Sequence, residues 1–259
     1  MTAILHHSLP AMPWLDPRLA RLPGVMPVEN DDWLLRDEVF AAQMAERDRL
    51  VALGAEVHAL MPMAKAAAEE TYDLVLAKLA QDSGYRIQAQ TALRPDGVSV
   101  ALNRDDPLRC LGRLVQEDLC LMLPNGQGEH LLAGAILCFP ASWALDEKLG
   151  KPMSRIHQPV AQYDENIARR VQRLLDAVQT GRPIWRMNHN LYASPDLFHP
   201  RRESDPRIDN SPKYLRAERQ CLLRLPQTQA VLFTIHTYVL PLDALTPDHR
   251  ASLTKAHST

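Results

Sequence analysis

The apolar positions of this chain change period twice, and each change marks a change of structure. Residues 1–29 show no period and carry Pro10, Pro13 and Pro17, so an irregular arm wrapped on the rest of the molecule is expected. Beyond it, Trp33, Val39, Phe40, Met44, Leu50 and Val51 recur at three-to-four spacing. Asp31-Asp32 is read as the cap of this helix and Gly54 as its end. After Pro62 a second helix is expected over about 63–81, stopping before Ser83-Gly84.

From about residue 98 the period shortens to that of strands. Val98 to Leu102 is a short one. Leu119 to Leu123 and Leu131 to Phe139 flank Pro124-Asn125-Gly126-Gln127-Gly128, a strong hairpin signal. An excursion over about 140–181 interrupts them. It contains a helix whose apolar face is Ile167, Val171, Leu174, Leu175 and Val178, closed by Gly181. Three more strands are expected over Pro183 to Tyr192, Leu215 to Leu225 and Ala230 to Leu240. The last two are joined by a turn at Pro226-Gln227-Thr228-Gln229. The final strand is apolar on both faces, as a central strand covered on both sides would be. Helices first, then hairpin-linked strands, predict an α+β fold with a mostly antiparallel sheet.

Composition adds mainly exclusions. With 259 residues, 46% hydrophobic and 23% charged, the chain reads as an ordinary globular protein able to bury a sizeable core. Lys+Arg 29 against Asp+Glu 31 leaves a net charge of -2, which offers no general attraction to nucleic acid or anionic membrane. No run of eighteen apolar residues and no signal-peptide pattern occurs, so a cytoplasmic protein without membrane or nucleic-acid partners is expected. Cys110, Cys120, Cys138 and Cys221 are too scattered for a zinc ribbon or iron–sulfur cluster and are read as reduced, structural thiols. Gly126-Gln127-Gly128 lacks the third glycine of a dinucleotide loop, and no Walker A loop or Gly-x-Ser-x-Gly elbow occurs.

Among ten histidines, none pairs at H-x-x-x-H spacing. His6, His7, His249 and His257, near the termini, are expected to be solvated. His157, His189, His199 and His236 lie in better-patterned sequence. His157 in Arg155-Ile156-His157-Gln158-Pro159-Val160 suits a hydrogen-bonded loop histidine or an axial metal ligand, and the residues alone leave both open.

Several long blocks resemble one family. They are Gly112 to Met122; Cys138 to Pro152, continuing into Ile156 to Val160 and Tyr163; Arg182 to Asn188; and Arg216 to Gln220 with Phe233-Thr234-Ile235 beyond. In this order they resemble the alpha subunits of haem-dependent oxidative N-demethylases, over most of the chain from about residue 30. The resemblance implies a single PAS-like haem-binding domain over 30–259, with N-terminal helices. It implies a monooxygenase holding haem b that removes a methyl group from a small secondary amine such as dimethylamine, releasing formaldehyde and consuming dioxygen. Electrons would come from NADPH through flavin and iron–sulfur centres on separate reductase subunits. A non-catalytic haem-binding sensor or carrier is the alternative.

Carried onto this chain, the resemblance makes His157 the candidate haem-iron ligand, with Arg155, Arg186 and Arg219 as candidate cofactor-binding residues. Glu218 and Arg216 are substrate candidates, and strand alternation puts them on one face with Arg219 on the other. Positions 189 and 236 are more often Trp and Arg in the family. The histidines here make His236 a candidate proton donor or second axial ligand, and Glu218 and His236 the candidate catalytic pair.

Overall fold

In a computed structural model the chain is described over residues 3–20, 23–54, 56–158, 164–206 and 210–257. The arm contributes a single turn, α1 (Pro17–Ala20), and a short strand, β1 (Met26–Pro27). Helix α2 (Phe40–Leu53) follows, then β2 (His58–Leu60), a 3₁₀ turn at Pro62–Ala64 and helix α3 (Lys65–Leu79). Three short strands, β3 (Arg86–Ile87), β4 (Thr91–Leu93) and β5 (Ser99–Ala101), make a small antiparallel sheet. Helix α4 (Pro107–Gly112) leads into the hairpin β6 (Asp118–Pro124) and β7 (His130–Ile136). The excursion holds α5 (Leu145–Lys148), α6 (Met153–Ile156) and α7 (Glu165–Ala177). The long strands β8 (Ile184–Tyr192), β9 (Tyr214–Arg224) and β10 (Val231–Pro241) and helix α8 (Pro247–His257) complete the chain.

The main sheet runs β1-β8-β9-β10-β6-β7-β2, with every described pairing antiparallel. The expected α+β class and its hairpins are therefore present. Helix α2 starts later than Asp31-Asp32 suggests. Asn30 and Asp31 adopt positive φ in a turn instead, and Asp37 accepts a hydrogen bond from the Val39 amide just before the helix. Gly54, at φ 81, ends α2 as expected.

Each face of the sheet is covered by a different part of the sequence. On one face, α2, α3 and α4 pack Leu50, Val51, Ala68, Val75 and Leu111 against Leu119, Leu121, Ile136, Cys221 and Leu232. Gly112 permits this approach, since a Cβ there would meet the Ile136 side chain at 2.5 Å. Farther along the same face, Leu9 of the arm and Leu245 and Leu253 at the C-terminal end cover Met187, Leu215 and Tyr238. The other face belongs to the excursion. Met153, Ile156, Val171, Leu174, Leu175 and Val178 pack against Cys120, Met122, Leu222, Val231, Phe233 and Ile235. All four cysteines are free and buried, and burial pushes each thiol upward, Cys138 to about 12 and Cys221 to about 11.

Candidate functional site

On the excursion side, polar groups interrupt an otherwise apolar wall. Directly paired residues of neighbouring antiparallel strands point to the same face. Asn188 on β8, Glu218 on β9 and Thr237 on β10 therefore form one transverse row, because Glu218 pairs with both others. Arg186 pairs with Gln220 in the next row, and Ile235 completes it. Glu218 Oε2 accepts from Asn188 Nδ2 at 3.2 Å and from Gln220 Nε2 at 3.1 Å, while Arg186 Nη1 donates to Gln220 Oε1 at 3.1 Å.

Those bonds leave a remainder. Arg186 Nε, Asn188 Oδ1, Arg216 Nε, Glu218 Oε1 and Thr237 Oγ1 are all buried without a hydrogen-bond partner. A buried orphan polar atom costs about 1–3 kcal/mol, so five on adjacent strands mark a place where a ligand or ordered water belongs. Glu218 Oε1 lies 3.6 Å from Arg216 Nη2. That arginine is itself spent on the chain, donating to the Phe139 and Leu197 carbonyls.

His157 sits at the C-terminal end of α6, the helix whose Met153 and Ile156 pack on this face. Its Nδ1 lies 3.1 Å from the Met153 carbonyl. A carbonyl only accepts, so Nδ1 carries the proton and Nε2 is the nitrogen with the lone pair, the tautomer a metal-ligating imidazole needs. Burial lowers the His157 pKa most, and the Lys148 and Arg186 cations lower it further against the Met153 hydrogen bond, so the ring is neutral at pH 7. Burial likewise lowers the Arg186 pKa, with Glu218 opposing. Pro159, Val160 and Tyr163 of the same sequence block lie outside the described residues.

The remaining candidates are not brought to this place. Arg155 is exposed and forms a two-pronged pair with Glu203, at 2.9 Å on each arm, which Lys148 joins. These cations hold Glu203 down to about 2. Arg219 lies on the opposite face, as alternation requires, with its guanidinium 4.9 Å from the Trp185 ring centroid. There it lines an open cleft of about 620 Å³ formed with the arm.

His236 is on that opposite face too. It pairs with Arg219, whereas Glu218 pairs with Thr237. His236, expected as a second ligand or proton donor, therefore lies across the sheet from His157, and both its ring nitrogens are engaged there. Nδ1 lies 2.9 Å from Glu117 Oε1 and Nε2 lies 2.9 Å from Asp37 Oδ2.

Sequence reasoning missed Asn188, Gln220 and Thr237, whose contribution depends on register. The signal was present in the β9–β10 turn. With Leu225 and Ala230 closing Pro226–Gln229, residues of opposite parity face one another, which puts Thr237 beside Glu218 and His236 beside Arg219. It also missed His6, expected in solvent but buried beside Asp37. The family model for "Haem-dependent oxidative N-demethylase, alpha subunit-like" matches residues 24–258, which includes every residue of the His157 face described above, and the chain belongs to that family.

Proposed function

We propose that this chain is the haem-binding, substrate-oxidising subunit of an oxidative N-demethylase and that its site lies between α6–α7 and the sheet. The observation that carries this reading is the row of orphaned polar atoms on the one sheet face that a neutral, correctly tautomerised histidine also borders. The residues suit haem b. His157 would hold the iron through Nε2, Phe233, Ile235, Met153 and Ile156 would supply apolar walls, and Arg186 would supply a buried cation for a propionate. Arg155 could serve a propionate only by leaving Glu203. The strand order β8-β9-β10-β6-β7, with the helical excursion between β7 and β8, supports the PAS-like reading of 30–259 as one domain.

When bound, haem supplies the activation of dioxygen that oxidises an N-methyl carbon, and the resulting carbinolamine collapses to amine and formaldehyde. The protein's part is binding and orientation. Glu218 Oε1 attracts the ammonium of a small secondary amine such as dimethylamine, and Asn188 Oδ1 and Thr237 Oγ1 offer further acceptors in the same row. Turnover consumes two electrons per dioxygen, which a separate reductase using NADPH, flavin and iron–sulfur centres would deliver in the cytoplasm. A haem-binding sensor or carrier without turnover is the alternative; His236 coordination would have favoured it, and both ring nitrogens of His236 are engaged across the sheet.

The test is formaldehyde release from dimethylamine by haem-loaded protein supplied with electrons. Glu218→Gln should retain haem yet raise the amine concentration for half-maximal rate by tenfold or more. Absence of formaldehyde with every secondary methylamine tried would contradict the proposal.

A further inference from the structure

On the face away from His157, four ionisable groups from four separated stretches of chain meet in the interior. His236 of β10 bridges Glu117 and Asp37 at 2.9 Å on each side, and His6 Nε2 reaches the same Asp37 oxygen at 2.8 Å. His6, Glu117 and His236 are almost fully buried. Gln116 closes the ring, donating to Asp37 Oδ1 and to Gln43 Oε1, each at 2.8 Å.

His6, Asp37 and His236 offer three ligand atoms within 4.8 Å of one another, a spacing that a metal ion could use. Their tautomers argue otherwise. His6 Nδ1 accepts a hydrogen bond from the Val239 amide at 3.2 Å, and that backbone donor cannot be turned round. The proton of a neutral His6 therefore sits on Nε2 and is donated to Asp37, leaving no lone pair there for a metal. His236 faces an acceptor at both nitrogens, and only an imidazolium satisfies both.

We infer that His236, held as a cation between Asp37 and Glu117, is the centre of a latch that fastens the N-terminal arm across the uncovered end of β10, and that losing this charge releases the arm. Strand β6 pairs with β10 only from Val231 to Ile235. Beyond Ile235 the backbone needs other partners. The arm supplies them, with the His6 amide donating to the Val239 carbonyl, while Gln43 donates to the Thr237 carbonyl. The arm is held again where Leu9 enters the core and where Trp14 Nε1 donates to Ser252 Oγ at 2.9 Å.

The charges around His236 agree with this role. Asp37, Glu38 and His6 come from the N-terminal stretch, Arg47 from α2, Glu117 from the approach to β6, Arg219 from β9 and Tyr238 from β10 itself. Burial opposes the cation, but Glu117 and Asp37 outweigh it and raise the His236 pKa to about 9. Asp37 is held far below the usual carboxylate range by His236 and His6, against its burial. The latch therefore opens on the alkaline side.

Two measurements on the full chain test this. Nitrogen-15 spectra of histidine-labelled protein at pH 7.5 should show His236 protonated at both nitrogens and His6 at Nε2 alone. Chymotrypsin cleavage after Leu5 or Trp14, corrected for the protease's own pH dependence, should be at least tenfold faster at pH 9.5 than at pH 7. His236→Gln should give the fast rate already at pH 7, and His236→Arg, which keeps a cation, should restore slow cleavage. Should the Gln variant not fold, the wild-type pH series alone decides. A neutral His236 at pH 7.5, arm cleavage independent of pH, or zinc shifting both imidazoles at micromolar concentration would overturn the latch.

Discussion

Two regions around the central sheet use their buried polar side chains in different ways. Around α2, the arm and the start of β6, charges meet charges. Arg47 Nη1 lies 2.7 Å from Asp118 Oδ1, and Asp118 also accepts the Cys138 and Phe139 amides. His236 is enclosed by Asp37 and Glu117. Arg47 Nη2 and Glu117 Oε2 are left over there, whereas under α6 and α7 Glu218, Asn188, Thr237, Arg186 and Arg216 each keep a buried atom unpartnered on three adjacent strands. Paired buried charges hold segments together, whereas clustered orphan polar atoms leave hydrogen bonds for something that is not protein. The contrast supports the proposed separation of a structural region from a binding region without reference to any bound molecule.

Substitutions at matched positions sharpen that difference. Asp118→Ala should cost the most, about 3–5 kcal/mol, because it strands a fully buried Arg47 and two backbone amides. Denaturant unfolding would measure it, and a loss under ~1 kcal/mol would erase the distinction between the faces. The next effect is alkaline. The His236 pKa is raised from 6.5 to about 9, so its stabilisation is complete below about pH 6.5 and is lost as pH rises through about 9. The shift corresponds to roughly 3 kcal/mol, and His236→Gln should flatten the dependence of unfolding free energy on pH across that window. On the proposed binding face, Glu218→Gln should cost less than Asp118→Ala, since Glu218 Oε1 accepts no hydrogen bond and its ion pair with Arg216 is a longer 3.6 Å. Smallest of all, Arg155→Ala should leave both unfolding stability and haem affinity unchanged, because its partner Glu203 is a surface residue.

Much of this frame was legible in sequence because the strands carry their own period. The hairpins at Asn125–Gly128 and Pro226–Gln229, the α7 face and the opposed directions of Glu218 and Arg219 all follow from local rules. Asp31-Asp32 misled because acidic pairs serve turns as readily as helix caps, and residues 31–39 are spent reaching Gln116 and Glu117. His6 was illegible for a different reason. Its partners Asp37 and Val239 lie far along the chain, and no local pattern announces an arm docking on a strand end. His157 drew its weight from the block around it, and the Met153 hydrogen bond now gives it a chemical argument of its own.

The account stands on the assignment of His157 and His236 to different faces with different roles. Its most direct test is the absorption spectrum of haem-reconstituted protein in three forms: wild type, His157→Ala and His236→Gln. A Soret band in wild type and His236→Gln that is lost in His157→Ala is the predicted result. Haem binding unchanged by His157→Ala, or abolished in a folded His236→Gln, would contradict it.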